Sequence, residues 1–442
     1  MNLRPHQVEG VEWLRSHGRG LLADSPRSGK TAQLLTAAEG ETLVVAPPFL
    51  ESTWLEQHAL WRPDLDMTFV GYASVAKRVP NAQGHLRNTI PAPKSELAKH
   101  WDTLICDESH SLINRKANWT QAVAKIKSDR LFLATGTPIA HWAQDLLMTL
   151  RLLYPGDRRF TNYQNWINRW FDVWLPPWGG IKIGDLKPEL SWEEFWFENG
   201  MDGPDGRMLQ REVDLGVPYT EQSIEVEMTP SQAKFYKKLK ADYLAALPDG
   251  GEVGAWSDGG LHTKLAQAST GLACLGDGGP VLPGSAKLQV VRDLLPESRR
   301  SPTLVFCHFR ETGQLIHNIA TDLGLRSGLI RGGVAGADRD DIRRRFQNGE
   351  LDVMVGTLAT VAVGLEFSRA STEIFVEHSW TPWKNDQALK RAMVIGKKSH
   401  VHVVHLWTKK TVDTGMRSLI GDKTEQQIKA LSAREFRETL DG

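Results

Sequence analysis

The chain has 442 residues, and Lys plus Arg and Asp plus Glu each total 53, so its formal net charge is zero. That length is too great for one hydrophobic core and suits two or three domains, while charge neutrality leaves nucleic-acid affinity to local patches. Met1-Asn-Leu-Arg-Pro-His6 has no basic-then-apolar signal pattern, and no apolar run approaches the roughly 18 residues that cross a bilayer. The expected compartment is therefore the cytoplasm, or the nucleus in a eukaryote, with a monomeric chain and no membrane partner. Cys106, Cys274 and Cys307 are too few for a disulfide framework, and the first and last fall in apolar runs that suit small core residues. The histidines are scattered, without zinc-ligand spacing to a cysteine.

Residues 1–155 alternate short apolar runs with amphipathic stretches. Strands are predicted at Gly20–Ala23, Thr42–Ala46, Met67–Val70, Thr103–Cys106 and Arg130–Ala134, which implies a parallel sheet flanked by helices. Residues 156–284 have a different texture, rich in Trp, Gly and Pro, and read as a helical insertion and linker. Trp166, Trp170 and Trp174 recur every four residues before Pro176-Pro177, predicting one helix whose aromatic face packs against a neighbouring domain. Trp178, Trp192 and Trp196 extend that cluster. Residues 228–247 are helical in composition, and their Lys234, Lys237, Lys238 and Lys240 face is either a solvated surface or one that tracks phosphates. Gly250–Gly260 and Gly276–Gly284 read as loops. Residues 285–442 return to the α/β pattern, with strands predicted at Thr303–Cys307, Ser327–Ile330, Asp352–Val355, Glu373–Val376 and His402–Trp407.

Chemistry concentrates in two places. Asp24-Ser-Pro-Arg-Ser-Gly-Lys-Thr31 joins an apolar run to a helical one, the context in which loop amides and a helix N-terminus face a phosphate. Lys30 then reaches the β and γ phosphates, Ser28 and Gly29 lie in the cradle, and the Thr31 hydroxyl ligates magnesium. Asp107-Glu-Ser-His110 follows an apolar run at a strand's tip, where Asp107 can hold the magnesium shell and Glu108 can orient or deprotonate the attacking water. Together they predict binding and hydrolysis of a nucleoside triphosphate. The first position of the loop is Asp24, where a complete P-loop signature has glycine.

In order and spacing these motifs resemble the superfamily 2 helicases, and most closely the SWI/SNF-type translocases of double-stranded DNA, whose phosphate loop commonly opens Leu-Ala-Asp as Leu22-Ala23-Asp24 does. The resemblance covers nearly the whole chain. It implies two RecA-like parallel-sheet lobes in tandem (1–155 and 285–442) around the Trp-rich segment 156–284, with ATP and Mg2+ bound between the lobes. Leu3-Arg-Pro-His-Gln7 matches the leading motif, which makes Arg4 and Gln7 adenine contacts. Val44–Pro48 through Trp54 matches a DNA-touching motif that includes Pro47, and Ala134-Thr-Gly-Thr-Pro138 matches the motif that couples nucleotide state to lobe movement and brings Thr135 to DNA. Glu225–Gln232, Ser285–Leu288 and Leu304–Phe309 match the approach to the second lobe.

In that lobe the resemblance places Thr357 on phosphate and DNA, Gly364 and Glu366 toward the nucleotide, Trp383 on DNA, and Gln387 and Arg391 in the sixth motif. Val394 stands where the family has a second arginine, the finger that in other phosphoryl-transfer enzymes contributes about 10³–10⁵ in rate. Either Arg391 or Lys397 moves in, or turnover is low, or the chain was altered. The expected function is an ATP-driven motor on duplex or branched DNA that grips mainly phosphates, with Arg343-Arg-Arg345, Lys237-Lys238 and Lys397-Lys398 as further contacts. Two rivals are a strand-separating helicase and a nucleotide-gated DNA-binding module with little turnover.

Overall fold

The computed structural model describes residues 2–80, 89–139, 143–175, 182–245, 255–272, 284–361, 366–394, 396–418 and 420. The chain divides after Val213 into two compact units.

In the first unit, α1 (Pro5–His17) starts with proline at its first turn and buries Gln7, Gly10, Val11 and Leu14 on one stripe. The chain then runs through β1 (Arg19–Leu22), α2 (Lys30–Ala37), β2 (Thr42–Ala46), α3 (Glu51–Trp61), β3 (Met67–Gly71) and α4 (Tyr72–Val75). A hairpin of β4 (Ala76–Pro80) and β5 (Thr89–Pro93) precedes β6 (His100–Asp107), α5 (Asn118–Val123), β7 (Lys127–Ala134) and α6 (Leu146–Leu153). α7 (Tyr163–Trp170), β8 (Phe171–Trp174), β9 (Lys182–Leu186), α8 (Trp192–Glu198) and β10 (Met208–Leu209) complete it. Six strands form one parallel sheet in the order β10-β1-β7-β6-β2-β3. Its central strands are buried on both faces, which is why they read as continuous apolar runs. Leu14, Leu34, Leu35 and Trp54 pack on one side, and Trp101, Leu112, Leu150, Trp166, Trp170 and Trp196 on the other.

The tryptophan-rich stretch therefore completes the first unit's own core. The helix expected to reach Trp174 ends at Trp170, because Phe171-Asp-Val-Trp174 pairs antiparallel with β9, and Trp174 is 52% exposed. Trp178 lies outside the described residues. The chain partitions within the segment 156–284, after Val213.

The second unit comprises β11 (Tyr219–Val226), α9 (Pro230–Ala245), α10 (Ala255–Thr270), α11 (Ala286–Leu294), β12 (Thr303–Cys307), α12 (Arg310–Asp322), β13 (Ser327–Ile330), α13 (Gly336–Gln347), β14 (Val353–Thr357), α14 (Leu358–Val361), β15 (Thr372–Phe375), α15 (Pro382–Leu389) and β16 (Val401–Thr408). Its six-stranded sheet is also parallel, in the order β11-β16-β15-β12-β14-β13. β11 escapes apolar periodicity because it is an edge strand, exposed from Tyr219 to Ser223. The second expected loop, 276–284, lies mostly outside the described residues, whereas 255–260 begins α10. Lys287 is buried and ion-paired, its Nζ 2.6 Å from Asp413 Oδ2 and donating to Val376 O at 2.8 Å, so Ser285-Ala-Lys-Leu288 anchors the sheet. Cys106 and Cys307 are buried thiols that burial pushes well up from their ordinary pKa, as core residues should be, while Cys274 lies outside the described residues.

Candidate nucleotide site

In a parallel sheet, ligand chemistry gathers where neighbouring strands end. β1, β7 and β6 are adjacent, and their register sets Leu22 beside Ala134 and Ala134 beside Asp107. The loop after β1 and the Asp107-Glu108 and Thr135-Gly-Thr137 segments therefore emerge side by side.

The loop is held at both ends. Asp24 is 0% exposed, and its carboxylate accepts from Arg211 Nε at 2.9 Å, Arg211 Nη2 at 2.7 Å and Gln33 Nε2 at 3.2 Å. A buried carboxylate persists only when paired in this way, which gives aspartate a reason to stand where glycine opens a complete signature. The segment after β10 extends that pairing: Ala23 N donates to Leu209 O at 2.7 Å, Ser25 N to Arg211 O at 2.9 Å, and Val213 N to Ser25 Oγ at 3.0 Å. Sequence reasoning missed Arg211, because it stands alone in a polar stretch 187 residues from its partner.

At the far end, Gly29 caps α2 in a left-handed conformation (φ 80), and a Cβ there would lie 2.2 Å from Gln7 Nε2. Gln7 Nε2 donates to Ser28 O at 3.2 Å, His6 Nε2 donates to the same carbonyl at 2.9 Å, and Gln7 Oε1 accepts from Arg4 N at 2.9 Å. Gln7 thus braces the loop backbone. Lys30 Nζ donates to Asp24 O at 2.8 Å and Ser25 O at 3.1 Å, which turns the ammonium into the loop. Ser28 Oγ is buried and has no hydrogen-bond partner among the described residues. Thr31 is half-buried in the first turn of α2.

Asp107 faces this loop. Its Oδ2 accepts from Trp54 Nε1 at 3.0 Å, its Oδ1 from Glu108 N at 2.9 Å, and its carbonyl from the Tyr72 hydroxyl at 2.8 Å. Burial, together with the Glu108 charge, raises its carboxyl from 3.8 to about 6, opposed by the Trp54 hydrogen bond and by the Lys30 ammonium. Lys30 and Asp107 therefore act on one another. Glu108 takes a positive φ of 50, a strained position for a side-chain-bearing residue. Its Oε2 is 3.3 Å from His110 Nδ1, and that nitrogen is also 3.1 Å from Thr135 Oγ1. Thr135 Oγ1 accepts from Thr137 N at 3.1 Å. A chain of hydrogen-bonding groups thus joins Glu108 to the Thr-Gly-Thr turn, whose Gly136 approaches Pro26 of the loop so closely that a Cβ would meet its ring at 2.8 Å.

In the second unit, Thr357 ends β14, Trp383 and Gln387 lie on α15, and Arg391 follows it; all four are buried. Glu366 is half-buried, and Gly364 lies outside the described residues. Val394 is half-buried.

Several expected DNA contacts turn inward. Thr135 is 2% exposed with its hydroxyl engaged as above, Thr357 Oγ1 is 2.8 Å from Thr360 Oγ1, Trp383 is buried, and the Trp54 indole is spent on Asp107. Small hydroxyls at strand ends satisfy local partners, and large indoles fill the core. Pro47 remains half-buried at the tip of β2 beside exposed Pro48 and Phe49. Lys397 Nζ donates to Ala392 O at 3.1 Å and to Ala370 O, so its charge points into its own unit. Arg343, Arg344 and Arg345 pair with Asp340, Asp341 and Glu350. Lys234, Lys237 and Lys238 are exposed, with no ion pair among the described residues.

Two parallel α/β units, the first with a phosphate loop facing paired acids, define a tandem-lobe nucleotide-binding protein. Residues 6–178 match the SNF2-related domain and residues 286–396 the helicase conserved C-terminal domain. The chain belongs to superfamily 2 and, within it, to the SWI/SNF-type helicases. It is 29% identical, over 100% of its length and 45% of the relative's, to the SWI/SNF-related matrix-associated actin-dependent regulator of chromatin subfamily A-like protein 1 of Xenopus laevis. It is 25% identical, over 98% of its length and 41% of the relative's, to the DNA annealing helicase and endonuclease ZRANB3 of Bos taurus. The chain thus spans less than half the length of these relatives. The SWI2/SNF2 ATPase core of Sulfolobus solfataricus in complex with dsDNA is similar at a TM-score of 0.39 and 22% identity, covering 99% of this chain and 96% of that one.

Proposed function

We propose that the protein is a DNA-dependent ATPase that couples hydrolysis to movement along duplex or branched DNA. The observation that carries this reading is the meeting, at three adjacent strand ends, of Lys30, Asp107, Glu108 and the Thr135 turn. ATP with Mg2+ would supply the phosphoryl group and its neutralising cation. The residues present fit that pair: Ser28 Oγ is an orphaned polar atom inside a loop closed by a helix N-terminus, and Asp107 is a buried carboxylate whose raised pKa a cation would relieve.

Lys30 would leave the Asp24 and Ser25 carbonyls for the phosphates, and Thr31 and Asp107 would hold the metal. Glu108, kept in place by its strained backbone and His110, would orient the attacking water and take its proton. The link through His110 to Thr135 would pass that change to the loop through Pro26 and Gly136. Gln7 and Arg4 would meet the adenine, and Gln387, Arg391 and Glu366 would serve the nucleotide from the second unit. DNA would be held by its phosphates. Lys234, Lys237 and Lys238 are the favoured contacts because they are exposed and no ion pair offsets their charges among the described residues.

The inward Lys397 favours the slow-turnover alternative, since it removes one of the two side chains expected to stand in for an arginine at position 394. Phosphate release from the intact chain, titrated with single-stranded, duplex and junction DNA, tests the proposal. Stimulation by duplex or junction DNA is expected. ATP-dependent DNA binding without stimulated release would replace the motor with a nucleotide-gated binding module.

A further inference from the structure

Glu373 is a carboxylate in an apolar place. It lies on β15, a central strand, in register with Leu304 of β12 and Val403 of β16, and is 0% exposed. Alternation puts it on the face of Phe375, where Leu304, Phe306, Val403, Ala392 and Met393 form one core cluster. Glu373 Oε1 accepts from Ala392 N at 3.1 Å, and Oε2 has no hydrogen-bond partner among the described residues. Burial pushes this carboxyl well up; the charges of Lys397 and Arg391 oppose that rise and Glu221 adds to it.

Lys397 completes the arrangement from the other side of the same residue, its Nζ donating to Ala392 O at 3.1 Å. The N–H and C=O of Ala392 are therefore gripped by a buried acid and a half-buried base, one residue beyond Arg391. The Arg391 carbonyl in turn accepts from Phe367 N at 3.1 Å. Stability alone does not account for a carboxylate at this place, because burying it costs the fold unless the group is fully paired. What an apolar side chain could not do is fix the peptide that carries Arg391.

We infer that Glu373 is a positioning residue which, together with Lys397, clamps the Ala392 peptide groups and so aims Arg391 at the nucleotide. The inference rests on the proposed ATPase reading. It also assigns Lys397 a task that removes it as a substitute for an arginine at position 394.

The test compares the intact wild type with E373Q and with the double variant E373V/K397M. The double variant should melt at or above the wild-type temperature, yet its DNA-stimulated kcat should fall about tenfold, as expected for losing one hydrogen bond to a charged group. Its KM for ATP should stay within about threefold, since the loss concerns turnover more than ground-state binding. E373Q keeps an acceptor for Ala392 N–H and should retain roughly half of kcat or more. A double variant within about twofold of wild-type kcat would overturn the inference, since a tenfold effect corresponds to only about 1.4 kcal/mol and is readily resolved. Should the wild type show no DNA-stimulated turnover, the ATPase reading fails separately. Amide exchange at Ala392 then decides the clamp: faster exchange in the double variant supports it, and unchanged protection refutes it.

Discussion

Asp107→Asn should make the protein more stable while abolishing ATP turnover. The Asp107 carboxyl is raised from 3.8 to about 6 by burial and by Glu108. At about 1.36 kcal/mol per pH unit, the ionised group costs the fold about 3 kcal/mol above pH 6. The direction follows from proton counting. Between pH 3.8 and about 6 the folded chain keeps a proton that the unfolded chain has released, so stability from this group is present at low pH and is lost as pH rises through that window. Asparagine carries no charge to desolvate, but its amide can accept from only one of the Trp54 indole and the Glu108 N–H, which forfeits about 1 kcal/mol. The net expectation at pH 7.5 is a gain of about 2 kcal/mol, turning into a small loss near pH 4. Urea denaturation of both proteins without nucleotide or magnesium, at both pH values, measures it. A variant less stable than wild type at pH 7.5 would refute the assignment of Asp107 as a strained, desolvated acid.

Three further outcomes are expected. Arg211→Ala strands the buried Asp24 with Gln33 as its one remaining side-chain partner among the described residues, so unfolding measurements should show a loss of about 3 kcal/mol, the low end for a broken buried pair because Arg211 is partly exposed; Asp24→Asn in the same background should recover part of it. Gly29→Ala forces a Cβ to 2.2 Å from Gln7 Nε2 at a φ of 80, and titration with ATP should show binding weakened at least about tenfold, the effect of some 1–2 kcal/mol of strain. Val394→Arg should raise DNA-stimulated phosphate release, and an unchanged rate would count against the matching of residues 387–396 to the family's sixth motif.

Sequence periodicity gave away the buried parallel strands, because a strand covered on both faces is apolar throughout: Thr42–Ala46 and Thr303–Cys307 are strands as expected. It concealed β11, whose exposed edge reads as loop, and it carried α7 past Trp170 because aromatic spacing alone does not distinguish a helix from a helix followed by a hairpin strand. The nucleotide site was legible where short motifs state the chemistry, at Lys30 and Asp107. Its supports were not, because Arg211 meets Asp24, and Trp54 meets Asp107, only through the fold. The same cause hid the burial of Thr135 and Trp383: a motif names residues that matter but does not say whether they face solvent or one another.

The central claim is that ATP hydrolysis moves this chain along duplex DNA, and displacement of the third strand from a DNA triplex measures it most directly. With ATP and magnesium the intact protein should release the third strand, while Lys30→Ala, or the wild type with a non-hydrolysable analogue, should not. Release that proceeds equally in all three, or in none despite DNA-stimulated phosphate release, would contradict the account.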